Sequence, residues 1–112
     1  MKTPEQITNS LVKEFDKLND IREQSLKLSR EIIKSCSKSI RNVHRNNLDE
    51  AKQHLDEANK NYQDLRSSLK DIPELRFAGY VNDSERELIE AFLVFEFEKT
   101  NSLLKFEGMN VS

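Results

Sequence analysis

The 112-residue sequence has no tryptophan, two glycines, two prolines and one cysteine. So few turn formers argue against a β-rich fold, whose tight turns depend on glycine and proline for their backbone angles. The lone Cys36 cannot form an internal disulfide, which speaks against a small secreted scaffold held by cross-links. Its expected role is that of a small apolar side chain on a helix face. Long hydrophobic runs are missing too. The longest uncharged apolar stretch, Ala91 to Phe95, is far short of the roughly 20 residues that span a bilayer. The N-terminus shows no apolar signal-peptide core, so a cytoplasmic protein without a membrane partner is expected.

Charge, by contrast, is plentiful: 18 Lys and Arg stand against 20 Asp and Glu, and hydrophobic residues make up 36% of the chain. Low hydrophobicity on its own would suit disorder. The apolar residues instead fall into helical stripes, which a chain without a core has no reason to keep. The expected fold is all-α: one helical domain over 1–112, made of long antiparallel helices in a bundle, with main helices at about 4–45, 48–70 and 83–105. Thr3-Pro4-Glu5-Gln6 carries a capping box with proline in the first turn. Ile7, Leu11, Phe15 and Leu18, then Leu28, Ile32, Cys36, Ile40 and Val43, recur at near-helical spacing. This is one very long helix or two in line. Asn46-Asn47 breaks it, and Asn47 with Glu50 repeats the capping signal. Leu48, Ala51, Leu55, Ala58, Tyr62, Leu65 and Leu69 form a heptad seam. A loop is expected over 71–82, followed by a third helix capped at Asn82 or Asp83 and ended by Gly108.

A helix from Pro4 to Arg45 would be roughly 60 Å long at 1.5 Å per residue, so it must overhang a three-helix core. The third helix is apolar around most of its circumference, as expected of an element surrounded by partners. Either the chain oligomerises or more polypeptide packs on that helix.

The charges are segregated along the chain. Lys27, Arg30, Lys34, Lys38, Arg41 and Arg45 face only Glu31 in their stretch, and their spacing of three and four places them on one stripe. Ser25, Ser29, Ser35, Ser37 and Ser39 are interleaved, with hydroxyls that can donate to phosphate. A nucleic-acid backbone is a natural ligand for such a stripe. The plainer alternative is a solvated face neutralised by Asp49, Glu50, Asp56 and Glu57 of the second helix. His44 adds either a phosphate donor or a capping or packing residue. No His or Cys spacing matches a zinc site.

In the third helix Asp83, Glu85, Glu87, Glu90, Glu96 and Glu98 oppose only Arg86. Glu87 and Glu90 lie three apart and share a face, with Asp83 one turn earlier. Glu90 stands among Leu88, Ile89, Ala91 and Phe92, where a buried carboxylate needs a compensating cation, proton or metal. A divalent ion and a Lys or Arg from another helix are the two alternatives.

Two blocks resemble the translin family. Leu28-Ser29-Arg30-Glu31-Ile32, continuing to Ile40 and His44-Arg45, is similar to the family's first long helix. Glu87-Leu88-Ile89-Glu90-Ala91, followed by Phe97, Lys99-Thr100 and Ser102-Leu103, is similar to its acidic helix. The resemblance runs in register over residues 20–105. It implies the N-terminal half of an all-α fold whose subunits assemble into a shell, as a homo-oligomer or as a hetero-oligomer with another translin-family subunit, and bind single-stranded RNA or DNA. TRAX-like members are Mg²⁺-dependent (or Mn²⁺-dependent) endoribonucleases, and Glu87 and Glu90 fall on the two catalytic, metal-binding glutamates. Their third carboxylate, an aspartate, comes from a later helix that these residues do not include. Arg30, Lys34, Lys38, Arg41, His44 and Arg45 would bind the nucleic acid. Two other functions fit the same residues: an oligomeric nucleic-acid-binding module without catalysis, and a structural scaffold that oligomerises through the seam of the second helix.

Overall fold

The computed structural model describes residues 1–106, and among these the secondary structure is entirely helical. No glycine or proline falls between Pro4 and Pro73, so nothing in the backbone opposes helix growth. α1 accordingly runs unbroken from Pro4 to His44, through Asn19-Asp20. The capping box forms: the Thr3 backbone N–H donates to Gln6 Oε1 at 2.9 Å, and the Gln6 N–H donates to Thr3 Oγ1 at 3.2 Å. Asn46 then takes φ 60°, a left-handed conformation that asparagine tolerates better than most residues. The chain reverses into α2, Leu48–Leu69.

Asn47 occupies the N-cap of α2 but makes no side-chain capping bond, so the box expected with Glu50 does not form. Backbone bonds close this turn instead, from Asn46 N to Val43 O at 3.0 Å and from Asn47 N to Asn42 O at 2.8 Å. The loop expected over 71–82 contains a short helix, α3, Pro73–Arg76, and the last helix, α4, spans Gly79–Phe106. α4 starts before Asp83 because Val81 and Ser84 are already buried in the core period. Asp83 pairs with Arg86 at 2.9 Å rather than capping. Gly108, the expected stop, lies outside the described residues.

Three seams build the core, with spacings of three and four on α1 and α2 and, counting half-buried Leu88, on α4 as well. α1 contributes Ser25, Ser29, Ile32, Cys36, Ser39 and Val43; α2 contributes Ala51, Leu55, Ala58, Tyr62, Leu65 and Leu69; α4 contributes Val81, Ser84, Ala91 and Phe95. The α2 seam is thus filled from within the chain, and it is not free to join copies as the scaffold reading required. α1 and α2 are antiparallel. Ser29 meets Tyr80 and Ser84, while Val43 shares a groove with Leu93 and Phe97, so α4 runs parallel to α1.

The serines depart from expectation. Ser25, Ser29, Ser35 and Ser39 are buried and only Ser37 is exposed. Their hydroxyls donate to backbone carbonyls: Ser25 to Ile21 at 2.8 Å, Ser29 to Tyr80 at 3.0 Å, and Ser39 to Ala51 across the α1–α2 seam at 2.8 Å. Small side chains let the helices approach, and the hydroxyls of Ser25, Ser29 and Ser39 are satisfied where they are desolvated. These serines are turned to the core and not to a phosphate.

The molecule is a rod with extents of 78 × 18 × 17 Å and a radius of gyration of 20.3 Å, against about 13 Å for a compact domain of this size. Residues 1–20 of the chain are all exposed, including Ile7, Leu11, Val12, Phe15 and Leu18. No described helix is long and apolar enough to cross a membrane.

Candidate nucleic-acid interface

The buried seam of α1 fixes where the rest of its surface points. At roughly 100° per residue, Lys27, Lys34, Lys38 and Arg45 lie nearly opposite Cys36, with Arg30 and Arg41 on one shoulder of that outer face. Lys27, Arg30, Lys34, Arg41 and Arg45 are exposed and Lys38 is half-buried. The stripe is real and faces solvent.

Among the described residues, none of these six cations forms an ion pair. No ion pair joins α2 to the stripe among the described residues, and Glu50, Asp56 and Glu57 of that helix have local partners. Lys52 pairs with Asp56 at 3.7 Å, and His54 lies 3.9 Å from both Glu50 and Glu57. The one side-chain hydrogen bond from a stripe residue is local, Arg41 Nε to the Ser37 carbonyl at 3.5 Å. His44 is exposed in the last turn of α1, where the helix dipole favours a cation, and it borders a groove against α4.

The acidic pair of α4 lies on the side facing α1, but its two members differ. Glu87 is half-buried and Glu90 is exposed. The burial expected for Glu90 is therefore not found: its apolar neighbours in sequence point elsewhere around the helix, Ala91 into the core and Phe92 toward the α2 side. Glu87 is the one close to the core. Burial first, and then the negative charge of Glu87, push the Cys36 thiol up to about 11. Neither glutamate takes part in an ion pair or a side-chain hydrogen bond among the described residues, so the alternative of a Lys or Arg partner for Glu90 is not realised. Asp83, one turn earlier, is held by Arg86.

Among the described residues no three His, Cys, Asp or Glu side chains converge as a metal site. Glu87 and Glu90 supply at most part of the six oxygens that Mg²⁺ requires. Two glutamates alone hold the ion weakly, with water or a substrate phosphate completing its shell.

Two features carry no signal strong enough to find from sequence. The Tyr62 hydroxyl donates to Glu85 Oε2 at 2.9 Å, tying α2 to α4. Burial, followed by that carboxylate, raises the tyrosine pKa. Glu96 is half-buried and lines the grooves on both flanks of α4. Its position between Phe95 and Phe97 was the available hint.

Fold and surface together define a class: an elongated all-α protein with a cationic outer helix and an acidic, apolar last helix. The chain is similar to an uncharacterized protein of Methanocaldococcus jannaschii, 32% identical over 103 residues. The match covers 91% of this chain and 45% of that protein, so the chain spans less than half the length of this relative. No protein-family model matches the chain, and no solved structure matches it.

Proposed function

We propose that the chain is a translin-like single-stranded nucleic-acid-binding module whose contact surface is the outer face of α1. The observation that carries this is the stripe itself: six cations over residues 27–45, directed away from the core and free of ion pairs among the described residues. Cations held only by solvent and counterions are those whose counterion release drives phosphate binding. Arg30, Lys34, Lys38, Arg41 and Arg45 would contact successive phosphates, with His44 at the end of the row. No aromatic residue lies between Lys27 and Arg45, so a base-stacking platform is missing from the stripe and sequence preference should be weak.

The test is equilibrium binding of an end-labelled single-stranded RNA of about 20 nucleotides. Lys38→Glu with Arg41→Glu, at positions outside the buried seam, should weaken binding at least tenfold while helicity stays unchanged. Equal affinity of wild type and variant would end the proposal.

A second reading is a TRAX-like endoribonuclease using Mg²⁺ or Mn²⁺. It is favoured by two carboxylates one turn apart on α4, one of them half-buried, with neither in an ion pair among the described residues. Glu87 and Glu90 would hold the ion together with a further carboxylate from outside these residues, and the metal would supply an activated water for phosphodiester hydrolysis. Metal-dependent cutting of the labelled RNA by an assembly containing this chain, lost in both Glu87→Ala and Glu90→Ala, supports it. Cutting that survives both changes removes it.

A further inference from the structure

The outer side of α4 is built like a helix contact, and none of the described residues covers it. Ile89, Phe92, Leu93 and Phe97 are 50–68% exposed. They form a ridge between two grooves. One, of about 370 Å³, lies against α2 and is walled by Leu55, Leu88 and Phe95; the other, of about 760 Å³, lies against α1 and is walled by Val43 and Val94. A ridge flanked by grooves is the surface into which another helix packs its own side chains.

Charge narrows the occupant. Glu96 is half-buried, lines both grooves and has no ion-pair partner among the described residues, and Glu90 stands exposed on the α1 side of the ridge. A second copy of α4 would bring its own carboxylates against these, at a cost in like-charge repulsion. The exposed N-terminal stretch of α1 is a poor occupant too, since residues 4–21 carry more acids than bases. The complement is a helix with an apolar stripe bordered by lysine or arginine. A source exists: the M. jannaschii relative has more than half of its length outside the matched region.

We propose that the ridge of Ile89, Phe92, Leu93 and Phe97 is a docking surface for an amphipathic helix carrying a Lys or Arg that pairs with Glu96. The helix corresponds to one in the unmatched part of the M. jannaschii relative. The proposal is independent of nucleic-acid binding, because it uses a different helix face and different residues.

The test mixes or co-expresses the chain with the unmatched part of the M. jannaschii protein and reads complex formation by sedimentation. In parallel, this chain replaces the matched stretch within the full-length relative, and thermal unfolding is followed. A one-to-one complex is expected. Phe92→Glu with Phe97→Glu should abolish it, and Glu96→Arg should weaken it at least tenfold, with Glu96→Gln between that and wild type. The Phe pair change should lower the melting temperature of the chimera by several degrees and leave that of the isolated chain nearly unchanged, since both rings are exposed there. A chimera as indifferent to the Phe changes as the isolated chain overturns the proposal. So does a complex that survives them, or a dimer of the chain alone that the same changes dissociate.

Discussion

Cys36 shows how one buried residue reports on its surroundings. It is fully buried in the α1 seam, and burial together with the charge of Glu87 raises its thiol pKa to about 11, against about 8.5 for a free thiol. Between those two values the folded chain keeps a proton that the unfolded chain has released. The Cys36 contribution to stability is therefore complete below about pH 8.5 and is lost as pH rises through about 11. Denaturant unfolding of wild type and Cys36→Ala from pH 7.5 to 11 checks this: the stability gap between the two should narrow with rising pH. A gap independent of pH would show that the thiol is not desolvated. Glu87→Gln should leave the onset of narrowing where it is but end it at a lower pH and make it smaller, because the lesser of the two causes that raise the folded-state pKa is removed. The same pair explains why Glu87 and Glu90 are not equivalent carboxylates. One is half-buried near the core, and the other is exposed.

At the scale of elements, α1 is two helices in one. Residues 25–43 are fixed by the seam with α2 and α4, whereas residues 4–20 are held only by their own hydrogen bonds and the capping box at Thr3. A cap is worth about 1 kcal/mol to the helix it closes. Here that helix segment touches nothing, and the stabilisation stays local. Thr3→Ala should raise amide exchange over residues 4–20 and change the global unfolding free energy by no more than about 0.3 kcal/mol, below the range of typical core changes. A loss of about 1 kcal/mol or more in that free energy would mean that the overhang is packed in solution. The overhang was legible in the sequence, since apolar periods from Ile7 to Leu18 and from Leu28 to Val43, read as one long helix, must outrun an α2 of 22 residues, although continuity through Asn19-Asp20 was not. The α2 seam was legible for the same reason. The start of α4 and the role of the serines were not. Asn82 and Asp83 resemble caps, and serines between basic residues resemble phosphate donors. Only the pairing of Ser29 with Tyr80 and Ser84 reveals that both segments face inward. The basic stripe could be read from spacing alone because exposure follows from phase, but the exposure of Glu90 depends on which neighbours α4 has.

The molecule as a whole carries a formal charge of −2, yet charges of opposite sign lie on different faces of it. The cations line the outer face of α1, and the acids gather on α4 and on the solvent side of α2. The section of the rod is 18 × 17 Å, so charges on opposite faces lie farther apart than a Debye length, ~8–10 Å near physiological salt. A net acidic protein can therefore still present a cationic face to a polyanion. This has a measurable form. If the six stripe cations each displace one counterion from a single strand, log K should fall with log salt at a slope of about −4, from about 0.7 per phosphate contacted. Reversing Lys38 and Arg41 removes two of the six contacts, so the slope should flatten to about −3 as affinity drops. The acids elsewhere on the rod should leave the slope unchanged, and Asp56→Asn with Glu57→Gln on α2 is the matched control. A slope near zero would mean that the stripe does not hold phosphate. A slope altered as much by the α2 changes as by those on α1 would mean that net charge governs binding, and not the outer face of one helix.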